Sequence, residues 1–353
     1  WPSAALSLYV CGVGVAGFAL GWLRRWAWAT AVTMLGLYFW FAAAIAADDV
    51  WRALAVLSFA TLGGLATQRR PPLADDAANR LNWERTHALM PTIAVCISSS
   101  LLIWTWLSIV PAPHTPIDGP AVIALAHVVL AALAVRNRII SPPALAIAIG
   151  GLVFGFIVYL RARAHFAPLD SHFFVWILFA PTVIALCALG ARPHREGRVL
   201  VAGAGAIGAA MLYLLAAFSR SIWESPQVWW PLFLGSALLF FCALLAARYA
   251  SKPERDWAVD LWTGAAAALA MIGMESFLPP AARLTGYAGV SAAFALAFMW
   301  RGWRASRVAA LIAAALTVAH ALSPALIDTT ISGVIELWRA LLLILGASAL
   351  LFA

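Results

Sequence analysis

Five ionisable residues fall in or beside short polar segments and could do chemistry together: Asp48, Asp49, His165, Asp170 and His172. Paired carboxylates and imidazoles can bind a metal ion, or act as general acid and base on a lipid-linked substrate. Their spacing, however, matches no metal motif such as H-E-x-x-H, so the sequence predicts no metal site. These residues are weak catalytic candidates, and the interpretation that we favour for them is solvated charge in loops outside the membrane.

A glycine pattern raises the question of a cofactor site. Residues 203–208 read GAGAIG, which fits the G-x-G-x-x-G turn of dinucleotide-binding proteins. That turn needs a following helix with one face in water, but residues 199–218 carry no charge. The acid at the required distance, Glu224, falls in a loop predicted to lie outside the cytoplasm. We therefore predict no dinucleotide and no other cofactor, and we interpret three glycines as positions of close helix packing: Gly203, Gly205 and Gly208.

Five more ionisable residues lie within long apolar runs: His127, Asp260, Glu275, Glu336 and Arg339. An ionisable group is costly in hydrocarbon, so each one is either functional or locally satisfied. Asp260 and Glu275 lie near opposite ends of one run and can reach an interface as snorkelling or capping groups. Glu336 and Arg339 are three residues apart, which favours a local ion pair over a pathway or gating role. His127 is interpreted as a neutral residue hydrogen-bonded to a neighbouring helix.

The composition of the chain is that of a membrane protein. Of the 353 residues, 64% are hydrophobic and only 11% are charged, and the mean hydropathy is +0.91. A soluble domain is nearer half apolar and a quarter charged. The four cysteines lie singly inside apolar runs and indicate neither a disulfide framework nor a metal site: Cys11, Cys96, Cys187 and Cys242.

The apolar runs predict an all-α fold, a polytopic bundle or array of about 12 to 13 transmembrane helices joined as short-turn hairpins. A helix needs about 20 apolar residues to cross the hydrocarbon core. The whole chain is predicted to form a single transmembrane region, with spans at about 4–22, 26–47, 51–67, 92–110, 119–135, 143–160, 172–191, 199–218, 230–247, 257–275, 281–300, 306–322 and 333–353. The longest polar stretch, 68–91, is predicted to be a cytoplasmic loop with an amphipathic helix.

The distribution of positive charge predicts the orientation of these spans. Of the 23 Lys and Arg residues, 17 fall in alternate loops and five in the others, while Arg339 lies inside the last span. Loops rich in Lys and Arg remain in the cytoplasm. We therefore expect the N-terminus of this chain outside and its C-terminus in the cytoplasm. The net charge of +8 is then a signal of topology, and we predict no nucleic-acid partner.

Two segments carry a resemblance to a known family. LSLYVCGVGVAGFALGWLRRWAWATAVTMLGLYFWF, near the N-terminus, and WRGWRASRVAALIAAALTVAHALSPAL, from Trp300, combine a basic turn with apolar helices. This pattern resembles the interior of large bacterial predicted membrane proteins of the domain-of-unknown-function 2339 family. The resemblance implies long helical arrays in a bacterial inner membrane. It agrees with an internal fragment that begins at Trp1, and it supplies no catalytic residue.

Three classes of function remain open at the level of sequence. The number of spans favours a transporter-like protein. The acids and histidines outside the membrane suggest a membrane-embedded enzyme that acts at the outer face on a lipid-linked substrate. A structural or assembly component of the envelope is the third reading. The expected partners are the lipid bilayer and other membrane proteins or further copies of this chain. A transporter-like protein is the first choice, and a non-enzymatic role is favoured over an enzymatic one.

Overall fold

A computed structural model describes residues 4–24, 27–46, 117–137, 140–163, 171–191, 195–221, 230–250, 252–322 and 331–352, with positions 56, 59, 60, 63, 64 and 67. Every regular element in these ranges is helical, and no strand occurs among them. The prediction of an all-α helical bundle is therefore confirmed. The predicted span at 92–110 and the loop at 68–91 lie outside the described residues.

Eleven α-helices are described, and each overlaps one of the predicted spans. They are α1 (Ala4–Arg24), α2 (Ala27–Ala46), α3 (Asp118–Arg136), α4 (Pro142–Arg163), α5 (Ser171–Gly190), α6 (Arg195–Ser221), α7 (Trp230–Arg248), α8 (Trp257–Phe277), α9 (Pro280–Arg301), α10 (Arg304–Ala321) and α11 (Ile331–Phe352). A single 3-10 turn, Pro253–Arg255, precedes α8.

Within the described ranges, five helical segments are long and apolar enough to cross a membrane: Pro142–Arg161, Gly197–Phe218, Trp230–Arg248, Trp257–Phe277 and Ala282–Arg301. A helix of 20 residues is about 30 Å long, which matches the hydrocarbon thickness. Large apolar side chains point outward from several helices, including Phe39, Val175 and Leu296. Such surface would be costly in water and is favourable against lipid.

The chain divides into two compact units, residues 1–208 and 209–353. In the first unit, α1 packs on α2, and α3 packs on both α4 and α5. Its core joins aromatic residues of the first two helices, such as Phe18, Tyr38 and Phe41, to Ile123 of α3. A side chain at Gly17 would collide with Thr33, so glycine permits the close approach of α1 and α2.

The second unit is built around α9, which packs on α8, α10 and α11, while α7 packs on α8. Its core is rich in alanine, including Ala267, Ala295 and Ala310, which lets the helices approach closely. The turns inside this unit are short. Leu278 and Pro279 separate α8 from α9, and Gly302 and Trp303 separate α9 from α10. Consecutive helices are therefore antiparallel. The end of α8 lies beside the start of α9, and the end of α9 lies beside the start of α10.

Gly302 is the one described glycine with a positive φ, at 70°, and it ends α9 in the left-handed conformation. An L-residue adopts this backbone at a cost, whereas glycine does not. Its N–H donates to the carbonyl of Phe298, which closes the last turn of the helix. The chain can then reverse within two residues and begin α10.

Candidate functional site: a carboxylate cluster beside an apolar cleft

The end of α8 and the start of α9 form a cluster around Glu275. Pro279 is extended and Pro280 opens α9, so the chain turns immediately after α8. The Arg283 Nε–H donates to the carbonyl oxygen of Leu278 at 2.8 Å. This bond satisfies a carbonyl at the C-terminal end of α8 that has no partner within the helix. It also fixes the guanidinium beside Glu275.

The Glu275 carboxylate accepts hydrogen bonds from residues on two other helices. Arg283 Nη1 lies 2.9 Å from Oε1, and the Tyr287 hydroxyl donates to Oε2 at 2.7 Å. His320 Nε2, at the end of α10, lies 3.1 Å from Oε2. The carboxylate therefore links the end of α8 to the first turns of α9 and to the end of α10. We call Glu275, Arg283, Tyr287 and His320 the Glu275 cluster.

His320 makes a second polar contact, within its own helix. Its Nδ1 lies 3.0 Å from the carbonyl oxygen of Leu316, while Nε2 faces the Glu275 carboxylate. The two ring nitrogens thus place the imidazole between the Leu316 carbonyl and the Glu275 carboxylate. The His320 ring also lies against that of Tyr287, with centroids 5.2 Å apart.

Burial is uneven across the cluster. Tyr287 is 2% exposed, whereas the Glu275 side chain is 48% exposed. The hydroxyl thus approaches the carboxylate from the packed side, and the carboxylate keeps an open side toward the surroundings. Among the described residues, no three His, Cys, Asp or Glu side chains converge in the manner of a metal site.

An open cleft of about 610 Å³ lies next to this cluster. Its walls come from α7, α8, α9 and α11, and are formed by Phe233, Met274, Phe277, Leu278, Ala282, Thr285, Gly286 and Arg339. The size and the apolar lining are those of a small-molecule site. Arg339 is the one charged residue among these lining residues, and it lies within the last apolar helix.

The opposite end of the second unit holds Asp260. Its Oδ1 accepts a hydrogen bond from the backbone N–H of Ala305 at 3.2 Å, and its Oδ2 lies 3.6 Å from Arg304 Nη2. A carboxylate at a helix N-terminus satisfies an unpaired N–H and interacts favourably with the helix dipole. Asp260 thus caps α10 from another helix, and Asp256 caps its own helix through Ala258 N–H.

Two pairs of arginine and tryptophan lie at the Asp260 end of the second unit. Arg301 lies 3.8 Å from the ring centroid of Trp300, and Arg304 lies 5.3 Å from that of Trp257. Both tryptophans are exposed. Such cation–π pairs combine an apolar ring with a solvated charge, which is typical of residues at a membrane–water interface.

The remaining predicted polar position of the first unit is His127, which is 3% exposed and lies within α3. On the same helix, Asp118 accepts a hydrogen bond of 2.6 Å from the indole N–H of Trp176 on α5. This bond joins two helices of the first unit. The bond has no signal in the sequence, because Asp118 and Trp176 are 58 residues apart.

The predicted packing glycines lie on α6. At Gly208 an added Cβ would lie 2.7 Å from Ile149 Cγ2 and 3.4 Å from Val153 Cγ2, both on α4. Gly205 is buried and Gly203 is partly buried. The GAGAIG stretch thus lies inside one long helix, whereas a dinucleotide turn requires a strand before its glycines.

Several predicted site residues lie outside the described part of the chain. These are Asp48, Asp49, His165 and Asp170, as well as Cys96. His172 falls on α5 and Glu336 on α11, but their side chains are not among those described. The catalytic candidates and the Glu336–Arg339 pair therefore stay predictions. Cys187 and Cys242 are buried free thiols, and Cys11 is a partly buried one.

Arg283 and Tyr287 were not selected from the sequence, although they contact Glu275 directly. The signal was present in the turn Leu278–Pro279, which forces the start of α9 to lie beside the end of α8. Arg283 and Tyr287 are four residues apart and therefore share one face of α9. The short turn and that spacing together place both residues near Glu275, but His320 required knowledge of how α10 packs.

Comparisons with known proteins found no match to a family model, to a curated protein or to a solved structure.

Proposed function

We propose that this chain is a multi-spanning integral membrane protein of a bacterial inner membrane, with its basic turns in the cytoplasm. The length and composition of the five apolar segments support membrane insertion. The Asp260–Ala305 bond supports the orientation, because it brings the turn after α7 and the turn after α9 to the same end. Arg248, Lys252 and Arg255 lie in or beside the first turn, and Arg301, Arg304 and Arg307 lie on the helices beside the second.

Within that framework we propose a transporter-like function on a solute that enters from the bilayer. The observation that carries this proposal is the open apolar cleft in the second unit, with Arg339 in its wall. An apolar opening within a helical unit can admit a hydrophobic solute laterally. A cation inside it gives the solute a defined orientation.

The outer-face enzyme remains an alternative, because the Glu275 cluster combines a carboxylate and an imidazole at one end of the helices. We prefer the transporter-like function since Arg283, Tyr287 and His320 all contact the same carboxylate. A catalytic acid or base must instead contact a substrate. Membership in the domain-of-unknown-function 2339 family, and a structural role in the envelope, likewise stay predictions.

A lipid-translocation assay tests the transporter-like function. The purified protein is reconstituted into vesicles that contain headgroup-labelled fluorescent lipids, either acidic or zwitterionic, and an impermeant quencher measures exchange between leaflets. We expect faster exchange than in protein-free vesicles, and a loss of that acceleration in Ala282→Trp, which fills the cleft. Val308→Trp, at an exposed position of α10 away from the cleft, is the matched control. Exchange no faster than in protein-free vesicles for both lipids would contradict the proposal.

A further inference from the structure

We propose that the cleft binds an anionic amphiphile from the bilayer, with its acidic headgroup on Arg339 and its apolar chain against the lining of α7, α8 and α9. This inference rests on the proposed membrane placement and names the class of solute. The juxtaposition that carries it is one guanidinium in the wall of a cleft of about 610 Å³ whose other lining residues are uncharged.

The apolar part of the cleft fits a hydrocarbon chain. Phe233, Phe277 and Leu278 supply broad apolar surfaces, and Met274 supplies a flexible one. Gly286 lets the Met274 side chain lie close against α9, because an added Cβ would lie 2.7 Å from the Met274 sulfur. An apolar chain in this place would replace lipid contacts with protein contacts at little cost. A sugar or peptide would leave its polar groups without partners.

The cationic part of the cleft fits an acidic headgroup. Arg339 is exposed and lies about 12 Å along α11 from Ile331, at the usual rise of 1.5 Å per residue. A guanidinium has five N–H donors in a planar fork that matches phosphate and carboxylate oxygens. Arg339 already interacts within the protein. Because the guanidinium carries five N–H donors, a partner within the protein leaves donors for a second acceptor.

The nearest described acid does not oppose an anion in the cleft. Glu275 follows the lining residue Met274, but its carboxylate is 2.9 Å from Arg283 and 2.7 Å from the Tyr287 hydroxyl. The negative charge is therefore compensated within the Glu275 cluster. Arg339 is the one charged residue among the described lining residues, so an acidic headgroup has a cationic partner there and a zwitterionic or neutral lipid of the same chain length should bind more weakly.

Native mass spectrometry of the purified full chain in detergent tests this site. The probes are phosphatidylglycerol and phosphatidylcholine with identical chains, titrated separately. For the unmodified protein we expect phosphatidylglycerol to bind about tenfold more tightly, since a charge-assisted bidentate contact contributes on that order. Arg339→Gln should abolish this preference, Arg339→Lys should keep part of it, and Ala282→Trp should remove binding of both lipids.

Arg307→Gln is the matched control, because Arg307 is an exposed arginine at the opposite end of the second unit. It should leave the preference unchanged. Equal binding of the two lipids, or a phosphatidylglycerol preference that survives in Arg339→Gln, would overturn the assignment. Lipid binding without translocation would keep this site and refute the transporter-like function. Translocation that Arg339→Gln leaves unchanged would keep the transporter-like function and refute the role of Arg339 in the lipid site.

Discussion

Asp260 on α8 accepts a hydrogen bond from the backbone N–H of Ala305 at the start of α10, with 3.2 Å between oxygen and nitrogen. Arg304, one residue earlier, lies 3.6 Å from the same carboxylate. One acid thus compensates a basic turn and satisfies a helix end. It also places the two basic turns of the second unit on one side of the bundle, which is the basis of the proposed orientation.

Replacement of Asp260 by alanine should therefore destabilise the second unit. Loss of a helix cap costs about 1 kcal/mol, and Arg304 would lose its partner as well. Thermal unfolding of the purified protein in mild detergent should show a lower midpoint for Asp260→Ala. Glu254→Gln alters an exposed acid in the preceding turn and should leave the midpoint unchanged. Equal effects of the two substitutions would argue against a capping role.

The Glu275–Tyr287 hydrogen bond predicts an energetic coupling between α8 and α9. Tyr287→Phe and Glu275→Gln should each destabilise the protein, and the double variant should lose less than the sum of the two. Coupling between directly bonded groups is about 1 kcal/mol. The double-mutant cycle, measured from unfolding free energies in detergent, gives this value directly. Strictly additive effects would show that the 2.7 Å contact contributes nothing to stability.

Gly208 and Gly150 form a matched pair of glycines in the first unit. A Cβ at Gly208 would lie 2.7 Å from Ile149 Cγ2, whereas a Cβ at Gly150 meets nothing within 4 Å. Gly208→Ala should destabilise by about 1 to 3 kcal/mol through overpacking. Gly150→Ala should be neutral or stabilising, because alanine is the better helix former. Thermal unfolding of both variants decides the matter, and the same shift in both would contradict the close packing of α4 and α6.

The helical elements could be predicted largely from sequence, because each is marked by the length of a continuous apolar run along the chain. A long charge-free run reads directly as a span, as at 230–247, which ends at Arg248 and where the structure has α7 at Trp230–Arg248. The two-unit division could not be read in this way, since it depends on which helices pack together. Apolar faces of similar composition do not specify their partners.

The side-chain contacts of the candidate site could be predicted even less well from the sequence. Glu275 stood out as an acid at the end of an apolar run, and the helix ends could be ordered from the short turns. The rotation of each helix about its own axis was not available from a chain that is apolar on every face. Tyr287 and His320 point at Glu275 only because α9 and α10 are rotated toward it. Arg339 faces the cleft for the same kind of reason.

The most direct test of the proposed topology is the accessibility of single cysteines to an impermeant maleimide. The four natural cysteines are first replaced by alanine or serine. Lys252→Cys then reports the basic end of the second unit, and Pro279→Cys the end that holds the Glu275 cluster; both positions are exposed. Membrane insertion with basic turns in the cytoplasm predicts labelling of Pro279→Cys in intact spheroplasts, and labelling of Lys252→Cys only after permeabilisation. Labelling of both positions from the same side, or the reverse pattern, would contradict it.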